Sequence, residues 1–229
     1  MMQAIIKEWW RELVRDKNSF YTTCLLAAAV VGFGSWKGYG WYVERREQSA
    51  QLAMAEALEE YYKAFSSIML GKDSQEVVGQ RIDDARIAFE TVLARHGNAN
   101  TACYAHAFDA DIAWYAGEKE RALISMQRAV DRASVPSVRD MFKTKYALML
   151  LDSENSEKGL EILSTLAHDP KNRVADYAAY YLGYYHWIKG NAQAARDAWA
   201  VLETFASDAR PEGTSPWLKS AQGKLAQIS

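Results

Sequence analysis

Three short polar turns, each between two stretches of helical periodicity, constrain this chain more than any other feature. They are Gly117-Glu118-Lys119, Glu154-Asn155-Ser156 and Gly190-Asn191-Ala192, and Gly117, Asn155 and Gly190 stand 38 and 35 residues apart. A period of that size is the mark of a stacked helical repeat, in which one helix pair cannot bury its apolar face alone and must lean on its neighbours. No run of strand-like alternation interrupts the pattern, and β-branched residues are sparse. The four prolines, Pro136, Pro170, Pro211 and Pro216, all fall late, so long stretches are free to be helical. The expected fold class is all-α.

Small residues fall where paired helices must approach closely. Gly183 precedes Gly190 by seven residues, and Ala195 and Trp199 follow it by five and nine; Ala110, Ala122 and Met126 hold the same places around Gly117. A small residue admits the partner helix, and the large one fills the space between neighbours. Around Asn155 those places hold Leu148, Leu160 and Ser164, so this spacing leaves the middle unit's register open. Pro136 and Pro170 follow the first and second units, where a helix stops.

Upstream, Ala50, Ala53, Met54, Ala57, Leu58, Tyr61, Tyr62, Phe65, Ile68 and Met69 recur at helical spacing up to Gly71-Lys72-Asp73. A second helix carries Ile82, Ala85, Ala88, Phe89, Val92 and Leu93, ended by His96-Gly97-Asn98, and the two read as a degenerate first unit with a wide gap from Leu70 to Gln80. Ser215-Pro216 opens a last helix through Gln227, with Ser215 as N-cap, suited to cover the open end of a solenoid.

The segment Ser19–Trp36 contains no charged residue and centres on Cys24-Leu25-Leu26-Ala27-Ala28-Ala29-Val30-Val31. Phe20 and Tyr21 precede it and Trp36, Tyr39, Trp41 and Tyr42 follow, as in an aromatic belt at two membrane interfaces; Lys37 is placed to snorkel. About 18 residues is near the lower limit for a span. The expectation is an uncleaved anchor. A cleaved signal peptide would carry a short basic start, whereas here Glu8, Glu12, Asp16 and Trp9-Trp10 mix with the bases; the interior of a soluble globule is the third reading. Lys7, Arg11, Arg15 and Lys17 before the run, against Lys37, Arg45 and Arg46 after it, lean slightly to an N-terminus inside. The expected organisation is a short cytoplasmic segment (1–18), an anchor with its aromatic flank (19–42), and a repeat domain (43–229) of about four helix pairs plus a capping helix.

Composition excludes several functions. A formal net charge of −2 gives no field for nucleic acid, and Arg45-Arg46 and Lys143-Lys145 are too short for a basic patch. Phosphate loops, nucleophile elbows and glycine-rich dinucleotide turns are missing from the sequence. Cys103 and His106 lie one turn apart near Asp109 and Asp111, half of a metal site with no second cluster to complete it. The reading is a non-enzyme with no cofactor and no metal. Cys103 is the sole cysteine after the apolar run, so a disulfide within the repeat domain is excluded.

The candidate binding surface is aromatic. Tyr177, Tyr180, Tyr184 and Trp187 follow steps of three, four and three and share one side of a helix, and aligned places hold Tyr104 and Trp114, then Phe142 and Met149. A groove lined by such rings suits apolar, loosely structured peptide, since rings bury much area with little entropy loss. The alternative is that the rings pack between stacked repeats. If they form a groove, Tyr180→Ala with Trp187→Ala weakens partner binding with little change in melting.

The stretch Trp187-Ile188-Lys189-Gly190-Asn191-Ala192-Gln193-Ala194-Ala195-Arg196-Asp197-Ala198-Trp199, with the closing Gly223-Lys224-Leu225-Ala226-Gln227-Ile228-Ser229, resembles the ancillary SecYEG translocon subunit family of bacterial inner membranes. The resemblance implies one transmembrane helix followed by a tetratricopeptide-like, right-handed helical solenoid in the periplasm. It also implies a membrane-anchored accessory factor of the Sec protein-export channel, presenting its groove to a periplasmic chaperone of the prolyl isomerase type or to emerging exported chains. A scaffold for another envelope machine, in cell-wall or outer-membrane assembly, is the alternative.

Overall fold

The computed structural model describes the backbone of residues 17–169, 172–207 and 215–227. Among these residues there are nine helices and no strand: α1 (Lys17–Leu70), α2 (Gln75–His96), α3 (Ala102–Tyr115), α4 (Lys119–Arg132), α5 (Pro136–Leu151), α6 (Ser156–His168), α7 (Ala175–Ile188), α8 (Ala192–Ser207) and α9 (Pro216–Leu225). Two compact units are resolved, Met1–Ser49 and Ala50–Ser229. This division falls seven residues after the expected boundary at 42/43. Helical periodicity runs unbroken through Tyr42 and Val43, and burial, which begins with the fully buried Ala50, is what marks the repeat unit.

In the first unit the described side chains begin at residue 32. Phe33, Trp36, Tyr39, Trp41 and Tyr42 are all exposed. Lys37 lies over the Phe33 and Trp36 rings and Arg45 over Trp41. Among the described residues no helix is long and apolar enough to cross a membrane. Residues 1–16 of the expected cytoplasmic segment and the side chains of residues 19–31 in the expected anchor lie outside the described residues.

The second unit is built from helix pairs. Consecutive helices pack on one another, most closely α3 on α4, α5 on α6 and α7 on α8, and α9 closes on both α7 and α8. Gly117 and Gly190 sit at φ +81° and +74°, the left-handed conformation that lets a helix end in a tight turn at little steric cost. The degenerate first unit is tighter than the sequence suggests. Only Gly71–Ser74 separates α1 from α2, because the Ser74 hydroxyl caps α2 by accepting from Val77 N. The last helix ends at Leu225 rather than Gln227.

The repeat register becomes clear in the packing. Ala85, Ala122, Gly159 and Ala195 are buried small residues on the second helices, and Phe89, Met126, Leu163 and Trp199, four residues on from each, are among the most deeply buried large ones. Both series advance by 37, 37 and 36 residues. The middle unit is therefore regular but offset by one: Ala147, Gly159 and Leu163 hold the places that turn-based counting gives to Leu148, Leu160 and Ser164. Ala147 and Gly159 are twelve residues apart, as are Ala110 and Ala122, and Gly183 and Ala195; the place of Gly117 and Gly190 falls on Glu154, so counting from Asn155 shifts every position by one. Gly159 is required there, since a Cβ on it would lie 2.7 Å from the Ala147 carbonyl oxygen.

The buried residues form three clusters along the chain: one centred on Tyr61 and Phe89, one on Met126 and Phe142, one on Leu163 and Trp199. This is the quasi-one-dimensional core of a stacked repeat. Ion pairs tie successive pairs together on one side. Arg86 on α2 reaches Glu118 at 2.5 Å, and Arg121 on α4 reaches Glu90 of α2 at 3.2 Å and the buried Asp109 of α3 at 2.8 Å. Asp109 also accepts from Ser125 Oγ at 2.6 Å.

Candidate functional site

The first helices of the pairs, α3, α5 and α7, together with the start of α9, line a groove of about 1000 Å³. α3 contributes Tyr104, Phe108, Asp111, Trp114 and Tyr115; α5 contributes Met141, Phe142, Lys145, Leu148 and Met149; Tyr177 and Trp217 close one end. Each set recurs at steps of three and four with an adjacent residue beside it, as in Tyr104, Phe108, Asp111 and Trp114 or Met141, Lys145 and Met149, so one broad face of each helix supplies the lining. Tyr104 is 37% exposed, whereas Phe142 and Met149 are buried in the floor. The Tyr104 and Phe142 rings meet edge to face at 5.6 Å, an arrangement that favours ring pairs beyond area burial alone.

The aromatic residues singled out by spacing fall into two places. Tyr104, Trp114, Phe142, Met149 and Tyr177 line the groove. Tyr180, Tyr184 and Trp187 do not; α9 sits on them. Trp217 lies 4.9 Å from Tyr180 and 5.2 Å from Tyr177, ring centre to ring centre. Lys224 Nζ lies 4.7 Å from the Tyr184 centroid and 4.4 Å from that of Trp187. The four-residue stripe is thus divided, its first member on the groove and the rest between the last pair and the cap.

Burial lifts the Tyr177 and Tyr61 hydroxyls above the ordinary tyrosine range, so both remain neutral donors at physiological pH.

Two residues that the sequence reading weighed elsewhere, Asp111 as a metal ligand and Lys145 as part of a basic run, lie in the groove. Asp111 Oδ2 accepts from Lys145 Nζ, joining α3 to α5 across 34 residues of sequence. Asp111 is 8% exposed. Burial raises its carboxyl above the usual range, with Lys145 opposing the shift. The signal was present: Asp111 stands seven residues after Tyr104 and Lys145 three after Phe142, on the same faces.

Cys103 and His106 are both buried. The buried Cys103 thiol donates to the Asn100 carbonyl at 3.1 Å, and His106 is buried with its Nδ1 unpartnered among the described residues. Burial, then the neighbouring Arg132 and Arg128, hold the imidazole below its usual range. Among the described residues no three His, Cys, Asp or Glu side chains are placed to hold a metal ion.

A stack of helix pairs with an aromatic groove has the architecture of a helical-repeat scaffold, a class that generally mediates protein–protein interaction. Residues 7–219 match the family described as tetratricopeptide repeat-like domain, and the chain belongs to that family. Two crystal structures of a putative kinesin light chain from Podosopora anserina with nearly identical TPR-like repeats, one of them a point variant, are similar in fold. Each superposes with a TM-score of 0.53 at 15% identity over 76% of this chain, covering 85% of the parent and 84% of the variant. No curated protein matches the chain significantly.

Proposed function

We infer that this chain is a membrane-anchored scaffold whose concave groove holds extended, apolar segments of other proteins. The groove carries the reading: about 1000 Å³ bounded by three helices, lined by rings from each, and open to solvent along Tyr104. Membership of the tetratricopeptide repeat-like family supports a protein-binding role.

The finer assignment is an accessory factor of the Sec export channel in the bacterial inner membrane, with the N-terminus cytoplasmic and the repeat unit periplasmic. There it serves a prolyl-isomerase-type chaperone or emerging chains. Its support is the resemblance of the Trp187–Trp199 stretch and the uncharged run of residues 19–36. The exposed Phe33, Trp36, Tyr39, Trp41 and Tyr42 beside Lys37 and Arg45 add to it, being the side-chain chemistry of a lipid headgroup layer.

A photo-crosslinking residue at Tyr104, in native membranes, tests the assignment. Recovery of Sec components or exported chains is expected; recovery of wall-synthesis enzymes without Sec components overturns the export role. Protease access to the repeat unit in intact spheroplasts tests the topology.

A further inference from the structure

The groove is not uniformly apolar, and one of its carboxylates keeps an oxygen unengaged. Asp111 lies in the wall with only Oδ2 engaged, by Lys145; among the described residues its Oδ1 accepts no hydrogen bond. Lys145, the cation paired with it, is 41% exposed at its side chain. Of the other carboxylates in the lining, Asp152 is paired with Lys119 and Asp176 accepts from Ser215 Oγ and Tyr177 N. Trp114 and Tyr115 stand three and four residues after Asp111 on α3 and line the same groove, and the π faces of such rings attract cations. The fold already seats a cation on each kind of feature: Lys145 on Asp111, and Lys119 over the Trp114 ring at 5.1 Å.

We propose that the groove selects apolar polypeptide segments carrying a basic side chain, whose guanidinium or ammonium lodges between the Asp111 carboxylate and the Trp114–Tyr115 rings. The proposal rests on the groove being the binding surface and adds the chemistry of what it takes. Guanidinium is favoured, because its planar fork donates to a carboxylate oxygen while its face lies on a ring. The raised carboxyl of Asp111 fits the geometry: one half-exposed lysine under-compensates a charge so far out of water. A bound cation completes the compensation, so part of the burial penalty already present in the free protein is relieved on binding.

The test uses the full chain in detergent and a short fluorescein-labelled peptide of leucine, phenylalanine and alanine with one central arginine. The same peptide with citrulline keeps the shape and loses the charge. Anisotropy is expected to give about tenfold tighter binding for the arginine peptide, the factor of one charge-assisted hydrogen bond in a partly dry site. Asp111→Asn brings the two peptides within about twofold of each other. Lys145→Met, measured at pH 8 with helicity checked by circular dichroism, frees the second carboxylate oxygen and widens the preference. Equal binding of the arginine and citrulline peptides, or a preference that survives Asp111→Asn, overturns the proposal while leaving the groove reading intact. Failure of both peptides to bind, or binding that Tyr104→Ala does not weaken, overturns the groove reading itself.

Discussion

Trp199 packs against Gly183 so closely that a methyl group on that glycine would collide with the indole Nε1, and the same nitrogen donates to the Tyr180 carbonyl at 2.9 Å. The contact joins α7 to α8 and needs both partners, a ring large enough to fill the space and a glycine that leaves room for it. Gly183→Ala is expected to destabilise the chain by about 1–3 kcal/mol through overpacking. Trp199→Ala costs about 3–5 kcal/mol, since the ring is almost fully buried. Urea midpoints of the two variants check both values.

The covered part of the aromatic stripe gives a second prediction. α9 is ten residues long, shorter than a helix that stands alone in water. Docking holds it: Trp217 lies on Tyr177 and Tyr180, Lys224 on Tyr184 and Trp187, and Ser215 Oγ donates to the buried Asp176 at 2.9 Å. Tyr180→Ala with Trp187→Ala is therefore expected to release α9 and lower the melting temperature, with loss of helical signal and protease cleavage near residue 215. An unchanged melting temperature would count against this packing.

Asp109 is buried and balanced by Arg121 and Ser125. Arg121→Ala leaves its carboxylate without a cation, at a cost of about 3 kcal/mol. The double variant Arg121→Ala with Asp109→Asn is expected to recover much of that loss. Thermal melts of the single and double variants measure the coupling.

His106 gives the pH dependence. Its folded pKa is lowered by burial and by Arg132 and Arg128, so the unfolded chain binds the proton more readily. Stability is therefore unaffected above the ordinary histidine value of about 6.5 and falls as pH drops from there through the folded value. Asp111, raised by burial, works in the opposite sense, so the comparison is made against a variant at each pH. His106→Asn is expected to lose less stability than the parent chain between about pH 7.5 and 5.5, the range around that value, as read by denaturant midpoints.

Much of this architecture is written locally. The ends of α1 at Leu70, α2 at His96 and α7 at Ile188 follow from the glycines and polar residues after them, because a helix stop depends on a few neighbouring residues. The small and large residues of the second helices recur because every pair solves the same packing problem. The middle unit follows the same pattern once its places are counted from Glu154 rather than Asn155.

What the sequence by itself determined is the succession of helices, their repeat and the apolar face of each, since these depend on residues within a turn or two of one another. The tertiary structure decided which part of a face stays open. Tyr177 and Tyr180 are three residues apart on one helix and both meet Trp217 of α9, yet only Tyr177 also borders the groove, because a segment nearly forty residues further on docks there. Asp111 and Lys145 become partners for the same reason. Spacing along a helix sets direction, but what meets a side chain is set by chain that arrives from far away in sequence.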